Sequence, residues 1–436
     1  MNIKKRKRIL LWELKKLWRF RTLPIFLLCC VLFGIFGACI LSPKDEYPAG
    51  TKEILPQFVE EYGIQIDEDF RQTFREDYQN KTNHLFQWYE EKFGKTDASI
   101  DEIAYELRFS WYRLELTPDE CSRIREFLFY YFVSQFLDQE GPYTSPAYLE
   151  MMSEQQKTTW GLTGENLKEY EEQLSLLRER LETLTKENSG AWLFFDNSSI
   201  QNGVYRLLSV VLVLCLLLFL LTISYGMCAE FSNGTSPFLY SSSIGRRLQI
   251  QKALASLIFS FGGALLIGAA AFLTYFIRTD YLLLWNTSLT SAYASGTPML
   301  PSSPMTIGQY FTLSILFSLG LLLFFALFLI FLGVLCRNAV ISPLIFAGIT
   351  AAGLFGADLL PGWKPLAIAH CTPFAMLAQA GSWFSGFIRS GSSPAAGGFI
   401  PSLLGQEWIT LVVWLLALLI LLLLAFRRFC RSTQLP

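Results

Sequence analysis

Several stretches of this chain run for about 20 residues without a charged side chain, long enough to cross the hydrocarbon of a bilayer. In hydrocarbon the backbone must satisfy its own hydrogen bonds, which a single segment achieves only as a helix. The expected fold class is therefore an all-α polytopic membrane protein. With 436 residues, 52% of them hydrophobic, the chain has room for several such helices and for a sizeable polar domain besides.

The formal net charge of −1 hides a strong segregation. Residues 42 to 206 hold 32 acidic against 17 basic side chains, whereas the first 23 residues hold nine basic side chains and only Glu13 on the acidic side. Basic flanks stay on the cytoplasmic side of a membrane, so these two regions are expected in opposite compartments. Residues 1–22 open with Lys4-Lys5-Arg6-Lys7-Arg8. Leu10, Leu11, Leu14, Leu17 and Trp18 then fall on one helical face, and Glu13, Lys15, Lys16 and Arg19 are expected opposite it. This is the pattern of an interfacial amphipathic helix on lipid headgroups, and a span follows at once, so nucleic acid is not an expected partner.

Taken in order, the spans are expected at 23–41, 204–225, 253–277, 308–335, 339–360 and 408–426. Between the first two, residues 42–203 read as a mostly helical extracytoplasmic domain. Ser99-Ile100-Asp101-Glu102 and Thr117-Pro118-Asp119-Glu120 have the form of capping boxes, the second with Pro118 at the first helical position. Leu167, Tyr170, Leu174, Leu177, Leu181 and Leu184 alternate spacings of three and four, as in a helical hairpin. Cys121 is the only one of nine cysteines in this region, so it must fold on an ordinary core. Residues 278–307 form an outer loop, and the proline- and glycine-rich residues 361–406 an outer re-entrant or interfacial segment. The tail, 427–436, starts Arg427-Arg428 and is expected on the cytoplasmic side with the amino terminus.

Residues 226–252 are the polar interlude between the second and third spans, with a basic content that suits a cytoplasmic loop. His84 and His370 are the only histidines, which disfavours a zinc site, and there is no Gly-x-x-x-x-Gly-Lys-Ser/Thr loop for phosphate. If ATP drives the protein, another chain hydrolyses it. The spans offer no paired carboxylates or Ser/His dyad, so the chain is not expected to be an enzyme.

An amphipathic leader, six spans, and Glu230 followed by Gly234-Thr235, Gly245-Arg246 and Lys252 resemble the membrane subunit of type-2 ABC exporters. The Leu335-Cys336-Arg337-Asn338 turn and the broken segment around Pro365 and Pro373 are similar to that family's later landmarks. The resemblance implies a permease, multi-pass in a plasma or bacterial inner membrane. It would form a translocation path with a second permease subunit, identical or homologous, and would bind cytosolic ATPase subunits that carry ATP and magnesium. Glu230, Gly234, Thr235, Gly245, Arg246, Arg247 and Lys252 would then belong to a coupling-helix loop touching the ATPase. For Glu230 a local cap or ion pair fits as well, and for Arg246 and Arg247 so does a purely topological role. Pro365, His370 and Pro373 would sit at an outer gate, although a lone histidine in an apolar hairpin is expected simply to be hydrogen-bonded. No charge lies deep in the spans, which points to a hydrophobic or amphipathic cargo such as a lipid, peptide or drug. The alternative is a membrane-anchored sensor whose acidic outer domain captures a ligand without transport.

Overall fold

The structure, a computed structural model, describes residues 3–42, 51–63, 68–94, 99–110, 116–138, 153–154, 157–158, 162–187, 197–240, 243–279, 281–286, 288–289, 304–356, 368, 370–384, 387–389, 399–401 and 405–431. Among the described residues five helices are long and apolar enough to cross a membrane: α2 (Thr22–Leu41), α8 (Asn197–Ser232), α10 (Ser243–Arg278), α11 (Ile307–Cys336) and α14 (Gln406–Arg431). The chain is thus a helical, multi-pass membrane protein.

The leader, α1 (Ile3–Arg19), ends just before α2 because Pro24 can neither donate to nor clear the carbonyl four residues back. α2, α8 and α10 pack against one another, α11 joins them through α8, and α14 joins through α11. Small residues bring these helices close. A Cβ on Gly263 would meet Leu218 at 2.4 Å, and one on Gly320 would meet Leu411 at 2.6 Å.

The fifth apolar segment, expected at 339–360, is described as a helix only over α12 (Ile341–Gly356). Its 16 residues rise about 24 Å, against a hydrocarbon thickness of about 30 Å, and residues 357–360 of the expected span lie outside the described residues. Its start is fixed by Arg337 in the left-handed region (φ 53°) and by Asn338, whose side chain accepts from the backbone of Val340 and Ile341. The fold is α, with one short strand pair among the described residues. Within 361–406, β1 (Phe387–Arg389) pairs antiparallel with β2 (Phe399–Pro401), Ile388 opposite Ile400.

The large polar region is helical, through α3 (Thr51–Tyr62), α4 (Glu68–Phe93), α5 (Ile100–Ser110), α6 (Pro118–Asp138) and α7 (Gly164–Glu187). Both capping boxes form: Ser99 and Glu102 bond reciprocally, as do Thr117 and Glu120. Without disulfides, aromatic packing supplies the core. Phe58 packs edge to face with Phe74 and Phe129, Phe74 stacks on Tyr130, and Leu85, Tyr89, Ile103, Leu107, Ile124 and Phe127 fill a second cluster. On α7, Tyr170 and Leu174 of the expected seam are buried, while the side chains of Leu177, Leu181 and Leu184 lie outside the described residues.

Lys92 bonds to Glu120 and, with the Thr117 backbone N–H, holds its carboxyl down from 4.5 to about 2. A depressed carboxyl stabilises fully above its unfolded value and loses that contribution as pH falls through the folded one. Glu120→Gln is therefore expected to flatten the acid limb of stability between pH 4.5 and about 2, read by hydrogen exchange in α4 and α6. An unchanged limb would show that Lys92 and the cap contribute nothing to that pH dependence.

Candidate functional site

The interlude expected at 226–252 is mostly helix. α8 continues through Glu230 to Ser232, and α10 begins at Ser243, nine residues ahead of Lys252. What remains is a tight corner. α8 stops where Gly234 adopts φ 68°, with Gly234 N–H bonded to Phe231 O and Thr235 N–H to Glu230 O, the paired bonds of a Schellman cap. A five-residue helix, α9 (Ser236–Tyr240), follows. Its Phe238 is 88% exposed, the most exposed large apolar side chain among the described residues.

The corner is rooted in a buried ion cluster. Glu230 Oε2 meets the Lys252 ammonium, and Glu230 Oε1 meets Lys16 Nζ of α1 at 2.7 Å. Lys252 is 1% exposed, Glu230 8% and Glu13, one turn from Lys16, 5%. Two carboxylates thus face two ammonium groups and the cluster is balanced, as burial of charge requires. Burial pushes the Glu13 carboxyl up, against the pull of Lys252 and Lys16. For Lys16 burial acts the other way, but the hydrogen bond and charge of Glu230 outweigh it and raise the ammonium above its ordinary range. Beside the cluster, Gln249 Nε2 donates to Met227 O at 2.8 Å, joining α10 to α8. Gly226 lets the helices touch, since a Cβ there would lie 2.0 Å from Ser256 Oγ.

The leader helix is turned relative to its expected pose. Glu13 and Leu17 face the protein, whereas Leu11, Trp12 and Trp18 are 60–65% exposed. Glu13 does not point away from the apolar face because the Lys252 ammonium, inside the bundle, makes the inward side the favourable one for a carboxylate.

Of the residues singled out by sequence, Glu230 and Lys252 come together and point inward, at each other. Gly234 and Thr235 form the helix stop between α8 and α9. Gly245, Arg246 and Arg247 fall within the first five residues of α10, and the side chains of Arg246 and Arg247 lie outside the described residues. Glu13, Lys16, Gln249 and Phe238 were not singled out. The only traces they leave in sequence are a lone acid in a basic leader and one of two phenylalanines in the polar interlude.

The same end of the bundle is tied by Arg337, stacked over Phe429 of α14, which in turn packs on Phe231 of α8. At the other end, His370 is buried and its Nδ1 lies 2.7 Å from Gln379 Nε2, a hydrogen-bonded histidine as expected. Pro373 opens the short helix α13 (Pro373–Ala378), capped by Thr372. Pro365 lies outside the described residues. Among the described residues no cluster of three or more His, Cys, Asp or Glu could hold a metal. No protein-family model, curated protein or solved structure matches this chain.

Proposed function

We propose that this chain is the permease subunit of an ATP-driven exporter, with α9 as the contact that receives force from a separate cytosolic ATPase. The observation that carries the reading is the corner itself: an exposed phenylalanine on a short helix, rooted in an ion cluster that joins three helices. A five-residue helix between two long, packed helices can move only with them, so a push at Phe238 displaces α8, α10 and α1 as one body. An exposed aromatic side chain is also well suited to fill a groove on a partner. Gly234 and Thr235 set the angle of the lever, and the sequence that follows carries Arg246 and Arg247.

In this reading the chain performs no covalent chemistry, and ATP and magnesium belong to the partner. Two permease subunits, identical or homologous, line a path for a hydrophobic or amphipathic cargo, in keeping with apolar spans and a charged outer domain. The basic leader and tail support a topology with both termini on the cytoplasmic side of a plasma or bacterial inner membrane.

The test is a photo-crosslinking side chain at position 238 of the full chain, activated in intact cells. The reading expects an adduct with a protein bearing a nucleotide-binding phosphate loop. Adducts that contain no nucleotide-binding protein would overturn it.

A further inference from the structure

The segment at the end of the bundle opposite α9 is held by an unusual set of bonds. Residues 370–384 fold back among α8, α11, α12 and α14, burying Phe374, Ala375, Met376 and Trp383. An irregular backbone survives among apolar helices only if its polar groups find partners. Here the neighbouring helices supply them: Ser209 Oγ of α8 donates to Ala380 O at 3.4 Å, Tyr310 OH of α11 to Gly381 O at 3.1 Å, and Trp414 Nε1 of α14 to Cys371 O at 3.0 Å.

One bond runs the other way. The backbone N–H of Phe384 donates to Glu407 Oε1, in the first turn of α14, at 2.7 Å. Phe384 sits at φ 60°, in the left-handed region where a bulky side chain is out of place. Arg337, the other such non-glycine among the described residues, caps a helix, whereas Phe384 caps none. Its conformation is imposed from outside, by Glu407 and by a ring stacked on Trp408 and set edge-on to Phe317. Glu407 is half-buried in the first turn of α14, a place that favours a carboxylate, and it commits that side chain to the backbone N–H of Phe384.

We propose that Glu407 is a latch, a positioning residue that holds residues 371–384 closed against α11 and α14, and that its release lets the strained segment leave the bundle to open the exit. The exit role rests on the permease reading; the latch itself does not.

The experiment uses the full chain in nanodiscs and follows N-ethylmaleimide labelling of each cysteine by peptide mass spectrometry. Cys371 is half-buried in the segment under Gln406 Nε2, at 3.0 Å, while Cys215 and Cys228 are buried in the bundle. Glu407→Ala is expected to speed Cys371 labelling roughly tenfold, the factor set by losing one such hydrogen bond, with Cys215 and Cys228 unchanged. Glu407→Gln keeps an acceptor oxygen and should restore the slow rate. Glu407→Asp, which withdraws the carboxyl by one methylene, should also speed Cys371 and serves if the alanine variant does not fold. An unchanged Cys371 rate overturns the latch, and so does a parallel rise at Cys215 and Cys228, which would make Glu407 a general support of the bundle. The assay contains neither ATPase nor cargo, so its failure removes the latch and leaves the permease reading to stand or fall on the crosslink at position 238.

Discussion

Replacing Lys252 with methionine is expected to destabilise the protein by about 3 kcal/mol, in thermal unfolding of the detergent-solubilised chain, because it strands Glu230 in the interior. Breaking one side of a buried ion pair costs about 3–5 kcal/mol. The low end applies because Lys16 keeps its own bond to Glu230. Adding Glu230→Gln to Lys252→Met should recover most of the loss, since the uncompensated charge is then gone and Lys16, a third exposed, can turn toward water. Equal loss in the single and the double variant would mean that packing, not charge, holds the corner. The cycle also separates this cluster from ordinary surface pairs, which contribute about 0–1 kcal/mol.

The second large effect is expected at Gly381. Its φ of 94° is open to glycine alone among common residues, and an added Cβ would lie 2.4 Å from Tyr205 Cβ and 3.1 Å from the Tyr205 backbone. A backbone neighbour cannot step aside. Gly381→Ala should therefore cost about 1–2 kcal/mol for the left-handed conformation and about 1–3 kcal/mol for overpacking, together about 2–5 kcal/mol. Gly348→Ala on α12 is the control, because nothing lies within 4 Å of its new Cβ. In a helix interior that substitution should be neutral or stabilise by up to about 1 kcal/mol. Both are read by the same thermal unfolding. A Gly381→Ala variant as stable as the parent would show that residues 370–384 are not packed against α8 as described.

The spans were legible because hydrocarbon imposes one requirement, a long uncharged helix, that composition reports directly. The capping boxes were legible because both partners of each bond sit three residues apart in the chain. The corner at 226–252 was legible as a place but not as a shape. Glu230 and Lys252 look like loop residues when each is read alone, and they are tolerated on helices only because each neutralises the other across 22 positions. The facing of α1 was lost for the same reason. A helical wheel ranks its faces by hydrophobicity and has no knowledge of the ammonium waiting inside the bundle for Glu13. Residues 361–406 were readable as irregular, since their prolines and glycines exclude a plain span. Which side chains of α8, α11 and α14 would satisfy that backbone depends on contacts up to 171 positions apart, as between Ser209 and Ala380, and no local pattern encodes them.

The central claim, that the corner at Phe238 receives force from an ATPase, meets its most direct test in ATPase co-purification. The full chain is isolated with its co-expressed partners, and bound ATP hydrolysis is compared between the parent and Phe238→Asp combined with Arg246→Glu. Neither substituted residue is one of the four charges of the ion cluster, so the variant should insert and unfold thermally as the parent does. The account predicts that the co-purifying ATPase activity falls at least tenfold, the loss expected when one buried anchor at an interface is removed. Undiminished ATPase activity in a normally inserted variant, or no ATPase with the parent at all, would contradict it.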